Sequence, residues 1–281
     1  MNEIAEIRPS PIAGTWYYGN PDRLRQQVDQ FLAAARLPAL EGQVVALIAP
    51  HAGHRYSGLT AGHAFASVLG QERDLVAVIS PMHAPYPANL ITTAHRAYAT
   101  PLGEVWVDAE ALAEVEDHLS HDGLNLTPVA NDKEHSLEIE LPFLQRALAN
   151  NFKLLPVMVR SQAPLVAKRL GHALAQVLQK RNALLVASTD LSHFYPEALA
   201  NELDEEMLRR IRSFSPDELF NAERTGKGFA CGVAAVAAVL WAAREMGADT
   251  VEILHHSTSG DETGDFGSVV GYGAAAVLKH T

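Results

Sequence analysis

The chain has 281 residues, 48% of them hydrophobic, which is enough for a large core. Its 22 lysines and arginines against 33 aspartates and glutamates leave a charge of −11, which argues against nucleic-acid partners because phosphate binding needs a basic footprint. The one cysteine excludes an internal disulfide, no apolar run is long enough to span a bilayer, and Met1–Ser10 lacks the apolar core of a signal peptide. A cytoplasmic protein without membrane contact is therefore expected.

In chain order, Asn20-Pro21-Asp22 opens a helix, with a capping Asn and a first-turn Pro, and Leu24, Val28, Phe31 and Leu32 follow at helical spacing. Gln43–Ala49 reads as a buried strand stopped by Pro50, Ala61–Leu69 as a helix, and Leu75–Ile79 as a second buried strand stopped by Pro81. Asn89–Thr93 and Glu104–Val107 are shorter strands flanking the Pro101-Leu102-Gly103 turn. Glu134–Leu148 reads as a helix kinked or broken at Pro142. Then come a strand at Leu154–Val159, a helix at Pro164–Leu178, a strand at Ala183–Ser188, and helices at Pro196–Ile211 and Cys231–Met246. Strands at Thr250–His255 and Ser268–Leu278 close the chain. No linker or composition change divides it, so one domain over residues 1–281 is expected. The alternation predicts an α/β fold, layered α/β/α, with a central, largely internal mixed sheet.

In such folds the site lies at the carboxyl ends of the strands. His51, His83, Asp190 and His193 all fall there. One histidine after a strand and a proline is as often a turn residue as a ligand. Two in matching strand-Pro-turn settings favour the ligand. Cys231 taken alone reads as a buried core thiol. Its place at an expected helix start, where thiol pKa values fall, argues for a thiolate. Asp190 and His193 share a loop and read as an acid/base pair or as a carboxylate orienting an imidazole, against a capping Asp and a solvated His. Glu134 and Glu138 are one helical turn apart and would share a face as acids favoured by the helix dipole, which leaves His135 unexplained. His54 gives a His-x-x-His spacing with His51. His255 and His256, on one strand, point to opposite faces and read as structural. No P-loop, dinucleotide fingerprint, Gly-x-Ser-x-Gly or Cys-x-x-Cys is present.

The ordered set of motifs resembles the Memo family, whose bacterial and archaeal members include AmmeMemoRadiSam system protein B. It runs from Ala13-Gly14-Thr15-Trp16-Tyr17-Tyr18 through Ile48-Ala49-Pro50-His51-Ala52-Gly53 and Ser80-Pro81-Met82-His83. Glu134-His135-Ser136-Leu137-Glu138, Ser188-Thr189-Asp190-Leu191-Ser192-His193, Cys231-Gly232 and Gly271-Tyr272-Gly273-Ala274 follow. The family is similar in fold to class III extradiol dioxygenases of the LigB type, which hold iron with two histidines and a carboxylate. The resemblance implies His51, His83 and Cys231 as metal ligands, with the thiol in place of the carboxylate, and His193, His135 and Asp190 as the acid/base group.

A thiolate is softer than a carboxylate and moves preference toward copper, zinc or a retuned iron. Two departures stand out. Met82 replaces the family's small polar residue before His83, which Ala84 follows, and removes polar support from His83 there, leaving a soft thioether neighbour. His54 stands where the family often has Tyr, which would alter the pocket or the metal choice. The resemblance implies a mononuclear transition-metal protein, iron favoured over copper or zinc, acting as an oxidoreductase on a small substrate. The competing readings are a non-catalytic scaffold whose cleft takes a peptide or protein partner, and an accessory component of a radical-SAM modification system.

Overall fold

The computed structural model describes residues 6–280, so Met1–Ala5 of the charged N-terminal stretch and Thr281 lie outside the described residues. The chain begins with β1 (Ile7–Arg8), α1 (Pro21–Ala34), β2 (Gln43–Ala49), α2 (His54–Ala66), β3 (Leu75–Pro81), β4 (Leu90–Thr93), β5 (Ala97–Thr100) and β6 (Gly103–Trp106). It continues with α3 (Ala109–Ser120), β7 (Leu126–Val129), a 3₁₀ turn at Glu138–Glu140, α4 (Leu141–Ala147), β8 (Lys153–Val159), α5 (Pro164–Leu178), β9 (Ala183–Ser188) and β10 (His193–Tyr195). It ends with α6 (Glu197–Arg212), α7 (Pro216–Arg224), α8 (Val233–Glu245), β11 (Thr250–Thr258), α9 (Gly260–Thr263) and β12 (Val269–Lys279).

Among the described residues, nine strands form one mixed sheet in the order β10-β12-β2-β9-β3-β8-β4-β7, with β11 paired to β12. The central β2, β9, β3 and β8 are parallel, while β12 and β4 run antiparallel to their inner neighbours. β1, β5 and β6 make a separate small sheet. Alternate residues of each central strand feed two cores. Leu47 and Val78 face Leu24, Val28, Phe65 and Phe143 of α1, α2 and α4. Ile48 and Ile79 face α3, α5, α7 and α8. This is the expected layered α/β/α architecture, and the continuous apolar strands follow from burial on both faces.

Small residues set how closely the layers approach. A Cβ at Gly171 of α5 would lie 2.7 Å from the Ala238 carbonyl of α8, and one at Gly62 would lie 2.6 Å from the Phe31 carbonyl of α1. Several expectations are corrected. Glu134–Leu148 is not one helix: residues 134–137 form a loop and turn before the 3₁₀ turn, and Pro142 sits in the first turn of α4, where its missing N–H is no loss. Glu134 and Glu138 therefore share no helix face. α2 begins at His54 rather than Ala61 and ends at Ala66. Among the elements absent from the sequence reading is α3, capped by Asp108, whose side chain accepts from the Ala111 N–H at 2.9 Å. No helix among the described residues is long and apolar enough to cross a membrane.

Candidate metal centre

β2, β9 and β3 are consecutive parallel neighbours, so the residues beyond their carboxyl ends lie side by side. His51, Asp190 and His83 each stand two residues past their strand. Cys231 comes from the loop before α8, whose cap, Gly232, packs against β9. A Cβ there would fall 2.4 Å from the Ser188 carbonyl, so only glycine permits this approach. The result is that Cys231 Sγ lies 3.1 Å from His51 Nε2. One donor atom each from His51, His83 and Cys231 lie within 4.8 Å of one another.

His51 is buried, and its Nδ1 lies 2.9 Å from Ser188 Oγ. Its backbone N–H and that of Ala52 donate to Asp190 Oδ1 at 2.8 and 3.2 Å. Burial, then the proximity of His135 and His83, holds its pKa well below the ordinary value, so the ring is neutral. His83 is more open. Its Nδ1 is 2.9 Å from Glu134 Oε1, and its backbone N–H donates to Glu134 Oε2 at 2.7 Å. Glu134 also accepts the backbone N–H groups of His135 and Ser136, each at 3.0 Å. Burial alone would raise this carboxyl, but its bonds to His83 and the ring charge outweigh that and hold it far below the carboxylate range. The hydrogen bond to Glu134 raises His83 in turn. The polar support that Met82 and Ala84 fail to give thus arrives from another segment. Met82 itself is buried in the α1/α2/α4 core.

Both imidazoles spend Nδ1 on an oxygen partner, which leaves Nε2 for another, in His51 the Cys231 sulfur. This is the usual arrangement of a metal-binding histidine. Asp190 donates its backbone N–H to Cys231 Sγ at 3.2 Å. The expectation of a depressed thiol pKa is corrected: α8 starts at Val233, past the cysteine, and burial followed by the charge of Asp190 pushes the thiol up. Such a thiol keeps its proton until a cation displaces it. His83, Glu134 and His135 form a second group of donors within 4.8 Å, but both Glu134 oxygens already accept N–H groups.

The acid/base candidates surround the same point. The His135 ring stacks on His83 with centroids 4.9 Å apart and lies 4.1 Å from Trp16; burial pushes its pKa down to about 4. Burial raises Asp190 to about 7, with Oδ2 4.0 Å from His51 Nε2. His193 lies 2.9 Å through Nδ1 from the Leu191 carbonyl, which only accepts, so Nδ1 carries the proton. No donor group within 4.8 Å includes His193 among the described residues. Its loop is held by buried Asp204, which accepts the Ser192 N–H at 2.9 Å and lies 2.9 Å from His256 Nε2. Phe194 beside it has φ 64°, and the β10–β12 register shifts there.

These groups open into a cavity of about 810 Å³, with His51, His83, His135, Asp190 and His193 in its lining, the exposed Trp16, Tyr56 and Phe194, and Arg55 as its cation. His54 is not in that lining. It is fully buried against Tyr17, Phe31 and Phe143, its Nε2 3.3 Å from the Ile139 carbonyl, so the His-x-x-His spacing makes no ligand pair. His255 contacts Thr60 and His63, while His256 reaches Asp204, on opposite sides of β11 as expected. Sequence reasoning missed the roles of Glu134, Ser188 and Glu140. Glu134 is 51 residues from His83 and Glu140 is 48 from Ser188, so no local signal marks either pair.

Fold and site together define an α/β protein with a His/His/Cys donor cluster at the carboxyl edge of a parallel sheet centre. A family model described as Memo-like protein matches residues 8–276, and the chain belongs to that family. Its relatives include a MEMO1 family protein of Nitrosopumilus maritimus, 32% identical over 95% of this chain and 98% of that protein. Others are from Methanothermobacter thermautotrophicus, 33% identical over 95% and 98%, and Aquifex aeolicus, 32% identical over 95% and 97%.

Proposed function

We propose that this protein binds one transition metal, iron before copper or zinc, through His51 Nε2, His83 Nε2 and Cys231 Sγ, and acts as an oxidoreductase on a small molecule held in the cavity. The observation that carries the reading is the convergence of one donor atom from each of these three residues within 4.8 Å, with both Nδ1 atoms engaged by oxygen partners. Two imidazoles and a thiol suit the borderline-to-soft ions. A metal held there would supply a redox-active Lewis acid with positions left open to the cavity.

The chain's own residues do the rest. Asp190 fixes the His51 backbone through two N–H groups and the Cys231 sulfur through its own. His193, with Nδ1 committed to Leu191, has Nε2 available for a proton. Trp16, Tyr56 and Phe194 provide aromatic surface for an apolar ligand, and Arg55 provides a contact for an anionic group. Such proton transfer is worth about 10²–10⁴-fold in rate.

The test is anaerobic reconstitution of wild type and of His51→Ala, His83→Ala and Cys231→Ala, with bound iron, copper and zinc measured. Each variant is expected to lose stoichiometric metal. Wild-type stoichiometry in all three would sink the reading. His193→Ala is expected to keep the metal and lose turnover, or to alter substrate-bound spectra.

A further inference from the structure

Ser188 Oγ has three polar neighbours: the Ser136 carbonyl at 2.6 Å, Glu140 Oε1 at 2.7 Å and His51 Nδ1 at 2.9 Å. A serine hydroxyl can donate one hydrogen bond and accept two. The Ser136 carbonyl can only accept, so it takes the single Ser188 proton. The serine oxygen must then accept from both other neighbours. We infer that Glu140 is a neutral carboxylic acid whose O–H donates to Ser188, and that Ser188, its own proton held by the Ser136 carbonyl, fixes His51 with its proton on Nδ1 and its Nε2 lone pair turned to Cys231. Ser188 is the positioning residue, and Glu140 fills the remaining lone pair of its oxygen.

The alternative assignment ionises Glu140 and turns the Ser188 proton toward it. That leaves two oxygens 2.6 Å apart with no proton between them. It also leaves a charge in a side chain with no solvent exposure, whose Oε2 has no hydrogen-bond partner. Burying an uncompensated charge costs far more than burying an acid that donates its proton. Burial, with a further push from nearby Asp190, holds the Glu140 pKa well above the ordinary value against the opposing pull of the Ser188 hydrogen bond. Two residues away in the same 3₁₀ turn, Glu138 has the opposite partners: it accepts from Arg8, Tyr17 and Ser10. A cation and two hydroxyl donors surround one acid, and an acceptor-saturated serine faces the other.

The relay is tested in metal-free protein, so its failure is separable from failure of the metal reading, on which only the affinity arm rests. Infrared difference spectra of wild type against Glu140→Gln should show a neutral carboxylic acid C=O band that the variant lacks. Histidine labelled with ¹⁵N should report His51 as the Nδ1–H tautomer in wild type and Glu140→Gln, since the Gln amide can donate in place of the acid. Ser188→Ala should populate the other tautomer, whereas Glu140→Ala, which leaves the Ser188–Ser136 bond in place, should keep the first. In the affinity arm, Ser188→Ala should weaken zinc binding about ten- to a hundredfold, the usual effect of losing such support, and Glu140→Gln should stay within about threefold of wild type. If Glu140→Ala does not fold, the infrared band and the Gln variant still decide. A carboxylate band in wild type, or a His51 tautomer that Glu140→Gln disturbs, overturns the inference.

Discussion

The two candidate histidine ligands are supported in opposite ways. His83 leans on Glu134, an ionised carboxylate that accepts four N–H groups, at the more open side of the centre. His51 leans on Ser188 and, behind it, Glu140, in a region without solvent. One arm holds its ring by charge and the other by a chain of neutral hydrogen bonds. The difference follows from burial, because a second ionised acid beside Asp190 in the closed region would have no counter-charge. It also separates the roles of two glutamates that composition alone treats alike.

The strongest way to break the comparison is at the shared corner. Cys231→Ser is nearly isosteric but a poor thiolate substitute, so metal affinity should collapse while the far-ultraviolet spectrum and the melting curve of the metal-free protein hold. An equally large loss of stability in the metal-free protein would return Cys231 to an ordinary core thiol. Next is Glu134→Gln against Glu140→Gln, the same chemical change in each arm. An amide can donate but cannot accept four N–H groups, so Glu134→Gln should cost about 2–4 kcal/mol in denaturant titration, from lost charged bonds and stranded donors. Glu140→Gln should cost under about 1 kcal/mol. Equal costs would erase the distinction between the arms.

His54, three residues past His51, belongs to neither arm and sharpens the contrast from outside. Burial pushes its pKa down from 6.5 to about 4. The unfolded chain therefore binds the extra proton first, and the stability from keeping this ring neutral is fully present above pH 6.5 and lost as pH falls toward 4. At about 1.4 kcal/mol per pH unit the loss is about 3 kcal/mol. His54→Phe should flatten the acid side of the stability–pH curve by that amount, and an unchanged slope would refute it. The smallest effect is expected at Phe194, which is 73% exposed at φ 64°. Phe194→Gly should relieve the backbone and raise stability by up to about 1 kcal/mol in denaturant titration, while loosening His193 beside it.

The legible part of the molecule was the part encoded locally. β2, β3, β8 and β9 are uninterrupted apolar runs, and the sequence reading matched them to within two residues at each end. α1 was marked by Asn20 and Pro21. The first turns of α2 carry a weak local signal because Gly58 lowers helix propensity ahead of Ala61, whereas Gly58 and Gly62 both admit Phe31 of α1. Tertiary contact overrode propensity. His51, His83 and Asp190 could be placed at strand ends from pattern, and Cys231 from its motif. What holds them could not be. Glu134 was read as a helix acid because its acceptor role exists only after β3 and the loop at residue 134 meet.

The spacing of the donors also bears on how the chain folds. His51 and Cys231 are separated by 180 residues yet touch. Bringing them together requires β2 and β9 to be paired and the loop before α8 to dock on β9, and such distant pairings form slowly because loop closure precedes any gain in contact energy. Late assembly of the cluster is the expected outcome. If the cluster binds an ion as proposed and assembles late, refolding rates should be indifferent to added zinc while unfolding slows in its presence.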